Sequence, residues 1–283
     1  MGGDVAKWIE GSPYSAGLGV LVESVREDGV SLRLPYKDEN SNPGKALHGG
    51  VAASMVALGG QAVGRVALGA EALPLYTAAV QVDYLSAAID EPIRAEATLL
   101  RKGKEICFSS VRVETLEGKA IAQGLLLVHG RFAADPGSLP PASGDAGAAD
   151  PGPMGPHIQR VPFISRLGLQ VEHMTGGSSR IVMPWKELNG DDAGGVHEGA
   201  LLALLDTTGA MASWAETGPG RFKASTPGMQ ARILAPPPRS TLVGYGRVVH
   251  RDRSLFFAEV EVATAEDSRR VAQGTVVYRI VTG

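Results

Sequence analysis

The chain has 283 residues, 44% of them apolar and 20% charged, with a formal net charge of −3 and an isoelectric point near 6.1. This is ordinary globular composition for one large domain or two of usual size, and it excludes a basic footprint for nucleic acid or an anionic membrane surface. One cysteine, Cys107, excludes an internal disulfide framework and fits a reducing compartment.

The N-terminal MGGDVAKWIEG lacks the apolar core of a signal peptide, and there is no unbroken apolar run of the roughly 18 residues that mark a membrane span, so a soluble, cytoplasmic protein is expected. Within residues 18–35, LGVLVESV and VSLRLPY predict two strands joined at the hairpin signal Asp28-Gly29. A loop from Lys37 to Ala46 leads into an apolar helix from about Gly49 to Leu68. Small residues on that helix, Ala52, Ala53, Ala57, Gly59 and Gly60, leave either space beside it for an acyl chain or ring, or close contact with a sheet. Strand-like runs follow near 76–85, 92–101, 105–115 and 119–129. Cys107 falls inside one of them, where a small buried hydrophobe is expected.

Residues 133–156 are rich in Pro, Gly, Ala, Ser and Asp, cannot bury a core, and predict an extended or mobile linker. They separate two domains, 1–132 and 157–283. The second repeats the first: His48 and His197, Pro35 and Pro184, Thr77 and Thr226, and Gln81 and Gln230 all stand 149 residues apart, and the offset becomes 150 only at Gln123 and Gln273. Strands are predicted at 167–173, 179–185, 225–234, 240–250, 254–264 and 270–281, around a helix at 198–215. One long helix wrapped by an antiparallel sheet of five or six strands, twice, is an α+β fold.

Asp206 stands out within the second helix, among Leu201, Leu202, Leu204, Leu205, Ala210 and Met211. An ionised acid there is costly unless it has a partner or a task. The first copy supplies a control, because the equivalent position is Ala57. The helix therefore does not need an acid to fold, and Asp206 is a candidate for chemistry.

The order of elements and the motif Asn42, Gly44, His48-Gly49-Gly50, with an acid nine residues after the histidine supplied by His197 and Asp206, resemble the hotdog-fold acyl-CoA thioesterases. The likeness is to the phenylacetate-pathway type over nearly the whole chain, twice. A weaker likeness is to the type II acyl-CoA thioesterases, whose Asp, Thr or Ser, and Gln trio would fall on Asp206, Thr226 and Gln273. The resemblance implies two hotdog domains pairing as an internal pseudo-dimer, with two such chains able to pack as a homodimeric pseudo-tetramer. It further implies hydrolysis of an acyl-CoA in fatty acid metabolism. Asp206 would act as base or nucleophile, and the Gly49 and Gly50 amides would hold the oxyanion.

The mirror arrangement of Glu198 with Ala57 has no helix acid, so one working site per chain is expected. Asn42 and Gln61 are candidates for polar contacts around the carbonyl or the water. His48 is expected to bond the loop and fix the turn. Arg101, Lys102 and Lys104 at a hairpin are candidates for the coenzyme A phosphates. Beyond coenzyme A as part of the substrate, no cofactor and no metal are expected, since no cluster has ligand spacing. Competing readings are a hotdog enoyl-CoA hydratase or dehydratase and a non-catalytic acyl-CoA-binding module.

Overall fold

The computed structural model describes residues 2–130, 139–144 and 147–282. Its helices are α1 (Gly2–Gly11), α2 (Pro13–Leu18), α3 (Gly49–Leu68), α4 (Gly155–Ile158), α5 (Pro162–Leu167) and α6 (Glu198–Thr217). The first half contributes strands β1 (Leu21–Arg26), β2 (Gly29–Leu34), β3 (Leu75–Tyr84), β4 (Ile93–Lys102), β5 (Ile106–Thr115) and β6 (Ala120–Gly130). The second contributes β7 (Gln170–Thr175), β8 (Ser178–Met183), β9 (Lys223–Ile233), β10 (Leu242–Asp252), β11 (Leu255–Thr264) and β12 (Arg270–Val281). The fold is α+β as the sequence predicts.

All twelve strands join one antiparallel sheet in the order β1-β2-β4-β5-β6-β3-β9-β12-β11-β10-β8-β7. Its centre is the β3–β9 ladder, where Gln81 pairs with Gln230 and the flanking pairs run from Ala79–Arg232 to Asp83–Gly228. Gln81 and Gln230 are equivalent residues of the duplication, so a local two-fold axis passes between them. Strand alternation then sorts side chains: Val80, Val82, Met229 and Ala231 are buried toward the helices, while Gln81 and Gln230 are exposed on the other face.

α3 and α6 lie on the inner face and cross near their N-termini, where Gly50 leaves no room for a side chain: a Cβ there would stand 2.6 Å from the Cβ of Ala203. Ser54 Oγ donates to the Gly50 carbonyl at 2.7 Å and accepts from Tyr14 Oη at 2.8 Å, which ties α2 to the crossing. The small residues of α3 do not open space beside it. Gly59 abuts Ala97 and Val111, and Gly60 abuts Leu126, so these positions bring the helix close to the sheet. By length and mean hydropathy (1.4) α3 could cross a membrane, but 89% of that stretch is buried inside this fold.

Residues 133–138, 145 and 146 of the expected linker lie outside the described residues. The described remainder is pinned to the second half instead of lying free. Ala142 N–H donates to Ser268 O, Ser143 N–H and Oγ both donate to Glu261, and Met174 N–H donates to Asp150 O.

Candidate active site

Asp206 is 3% exposed. Thr226 Oγ1, on β9, donates to its Oδ1 at 3.0 Å, while Oδ2 lies 3.0 Å from the point where a Cβ on Gly49 would stand. The acid of one half thus meets the helix N-terminus of the other. Burial pushes the Asp206 carboxyl up to about 6, and the Thr226 hydrogen bond opposes that rise. Both residues line a cavity of about 460 Å³ together with Asn42, His48, Gly49 and Tyr84. Its apolar wall is Ile158 from α4, Val161 and Ile164 at α5, and Met211 and Trp214 from α6. Trp214 Nε1 donates to Tyr278 Oη at 3.1 Å, which fixes the far end of the wall.

His48 caps α3: the Gly50 N–H donates to its Nδ1 at 3.0 Å. Its ring is tilted against Phe163, with centroids 4.8 Å apart. Burial lowers its pKa to about 4, so the ring is neutral and Nδ1 is free to accept. This matches the expected turn-fixing role and corrects another expectation, because the Gly50 amide is occupied by the cap and is not an oxyanion donor. The Gly49 amide, first in the helix, has no partner within α3. That leaves one backbone N–H beside the acid.

Each half of the sequence matches a known domain model: the acyl-CoA thioesterase N-terminal domain over residues 37–129 and the thioesterase superfamily over residues 193–271. A protein of Halobacterium salinarum, provisionally named an esterase, is 32% identical over 118 residues, 40% of this chain and 78% of its own. The chain belongs to the thioesterase superfamily. Two solved structures share the whole architecture. One is a hot dog-fold protein of unknown function from Alicyclobacillus acidocaldarius, 16% identical, with a TM-score of 0.65 over 97% of this chain and 98% of that one. The other is an acyl-CoA thioesterase II of Mycobacterium marinum, 11% identical, with a TM-score of 0.63 over 92% and 94%. At these identities they show the fold alone: a tandem hotdog.

The other residues expected at the site of this thioesterase lie elsewhere. Gln273, the third member of the type II trio, lines a hollow on the outer face of the sheet with Gln81, Gln230 and Thr275. Strand alternation on β12 turns it away from the helices while Ala272 and Val276 face them. Gln273→Ala is expected to leave kcat/KM within about twofold of wild type; a loss beyond tenfold in a thiol-release assay would put Gln273 back in the site. Arg101, Lys102 and Lys104 belong to the β4–β5 hairpin. Lys102 shares a surface hollow with Val66 and Ala67 at the C-terminal end of α3, roughly 27 Å along the helix axis from Gly49. None of the three lines the Asp206 cavity.

Gln61 belongs to the mirror site, donating to Thr77 Oγ1 at 3.2 Å. There Glu198, the counterpart of Gly49, extends its own carboxylate to accept the Thr77 N–H at 3.0 Å. An acid from the helix start thus accepts the backbone N–H of Thr77, whose counterpart Thr226 offers its hydroxyl to the mid-helix acid Asp206 in the first site. Glu198 Oε2 is buried with no hydrogen bond. Above it Arg65, the counterpart of Trp214, is covered by Trp8 of α1, with the guanidinium carbon 4.1 Å from the ring centroid.

Burial raises the Glu198 pKa, so this group favours the fold at pH values below its ordinary range and loses that favour as pH rises through the elevated value. Glu198→Gln is therefore expected to raise the melting temperature more at pH 8 than at pH 5, with turnover unchanged. Equal gains at both pH values would refute a buried charge there.

Proposed function

We propose that this thioesterase hydrolyses acyl-coenzyme A thioesters at one working site per chain. The observation that carries the reading is the approach of Asp206 Oδ2, from α6, to Gly49 at the start of α3. A carboxylate whose pKa is lifted to about 6 is a competent proton acceptor at neutral pH, and Thr226 holds it by one oxygen while the other faces the cavity. The acyl-CoA name attached to the first-half domain model supports the choice of thioester.

The thioester carbonyl oxygen accepts from the Gly49 N–H, with the Asn42 side chain on the same rim. Asp206 takes a proton from water as its oxygen bonds to the carbonyl carbon. The tetrahedral intermediate then expels the coenzyme A sulfur, which receives the proton, and the products are a carboxylic acid and a free thiol. The acyl group lies along Ile158, Val161, Ile164, Met211 and Trp214. Thiol release from a panel of short, medium, long and aromatic acyl-CoAs tests the reading. Hydrolysis of at least one member supports it. Tight binding without hydrolysis across the panel would favour a binding module, and hydration of an enoyl-CoA without thiol release would favour a hydratase.

A further inference from the structure

The hydroxyl of Tyr84 is buried and has no hydrogen-bond partner, although a buried donor left unmade is costly and native proteins nearly always avoid it. Tyr84 is the last residue of β3 and lines the Asp206 cavity. Its ring carbons Cε1 and Cζ lie 3.5 and 3.8 Å from the point where a Cβ on Gly49 would stand, the same point that Asp206 Oδ2 approaches to 3.0 Å. Ring, acid and free amide therefore converge on one spot. The duplication again serves as a control: Tyr84 pairs with Ala122 on β6, as Ile233 pairs with Ala272 on β12. The fold accepts an apolar side chain at this place, and the hydroxyl occurs only at the site where the first half's Gly49 meets the second half's Asp206. Since His48 occupies the Gly50 amide, the site has a single backbone donor where two donors are the usual means of holding an oxyanion.

We infer that Tyr84 is a further catalytic residue: its hydroxyl donates to the carbonyl oxygen of the bound thioester, beside the Gly49 amide. The inference rests on the acyl-CoA site proposed above. Burial and the nearby Asp206 hold the phenol well above its ordinary pKa, so it stays protonated and able to donate. Substrate supplies the acceptor that the resting protein lacks.

The test is Tyr84→Phe, which removes one oxygen. If the hydroxyl serves catalysis, kcat falls about 10- to 100-fold with KM little changed, while the melting temperature is equal to or above wild type, because an unsatisfied donor has gone. A second readout does not need turnover: affinity for a coenzyme A ketone analogue, in which a methylene separates sulfur from the carbonyl, against the S-alkyl thioether of equal length, which has no carbonyl. Wild type should prefer the ketone, and Tyr84→Phe should cut that preference at least about fivefold while binding the thioether as before. An unchanged preference, an equal loss for both analogues, or a lowered melting temperature would overturn the assignment. So would a shifted pH profile with the ketone preference intact, which would make Tyr84 a partner of Asp206 alone. Asp206→Asn measured in parallel separates the two readings: if it hydrolyses like wild type, the proposed site fails, and the ketone preference still judges Tyr84.

Discussion

Asp206→Asn is expected to lower kcat/KM for the best acyl-CoA by about a hundredfold or more, the usual scale for removing a positioned acid or base. The substitution keeps the shape and an acceptor for Thr226 but cannot take a proton. In wild type, kcat/KM should rise with pH through about 6, where Asp206 ionises, and level off above 7; in the variant that limb disappears. Stability should move the other way. A carboxyl raised from its ordinary 3.8 to about 6 favours the folded state fully below 3.8, and that contribution is lost as pH rises through 6. The shift corresponds to a burden on the order of 3 kcal/mol at neutral pH. Asp206→Asn should thus melt higher than wild type at pH 8 and nearly with it at pH 4. A variant that is both inactive and less stable at pH 8 would show that Asp206 is part of the scaffold.

Gly50→Ala is the second large effect, and it acts on the fold. Its Cβ would meet Ala203 Cβ at 2.6 Å and Ala203 Cα and Phe163 Cε1 at 3.0 Å, so backbone must move to admit it. Overpacking of this kind costs about 1–3 kcal/mol, which lowers the melting temperature by several degrees in a chain of this size. Because the same crossing sets the approach of Asp206 to Gly49, turnover should fall with stability. Gly3 is the control: nothing lies within 4 Å of its Cβ position, so Gly3→Ala in α1 should be neutral or mildly stabilising. If Gly50→Ala melts like wild type, helix crossing is not the reason for glycine there.

The two long helices and their strands are legible because each carries its own periodicity and because the repeat shows every element twice, whereas composition alone does not reveal that residues 142, 143 and 150 bond the second half. Asp206 was legible for the same reason, with Ala57 as its contrast, and its partner Thr226 was found through the type II likeness. The other expectations fail where a side chain's position depends on something outside its own element. Whether Gly49 or Gly50 offers its amide is decided by the His48 rotamer, which selects the second N–H of the helix. Gln61 is correctly placed on α3 but meets Thr77 of β3 in the mirror site, because which strand a helix side chain meets is set by packing and not by the helix's own periodicity. α1 gives only a weak sequence signal: Val5, Trp8 and Ile9 have helical spacing, yet ten residues are marginal alone and are held here by burial of those three side chains. Tyr84 was readable in principle, since Ile233 is its counterpart.

The joining of the two halves into one polypeptide has a genetic consequence. In an association of two identical subunits, any substitution appears in both clefts, so an acid cannot be lost from one without being lost from the other. Here codon 57 and codon 206 are separate, and alanine at one leaves aspartate at the other untouched. Fusion also fixes the stoichiometry of unlike partners at one to one and keeps them at high mutual concentration however dilute the protein. One cleft can then change independently of the other: Glu198, Gln61 and the Trp8–Arg65 cover stand in the half-site without the mid-helix acid, and none of them is copied into the cleft that holds Asp206.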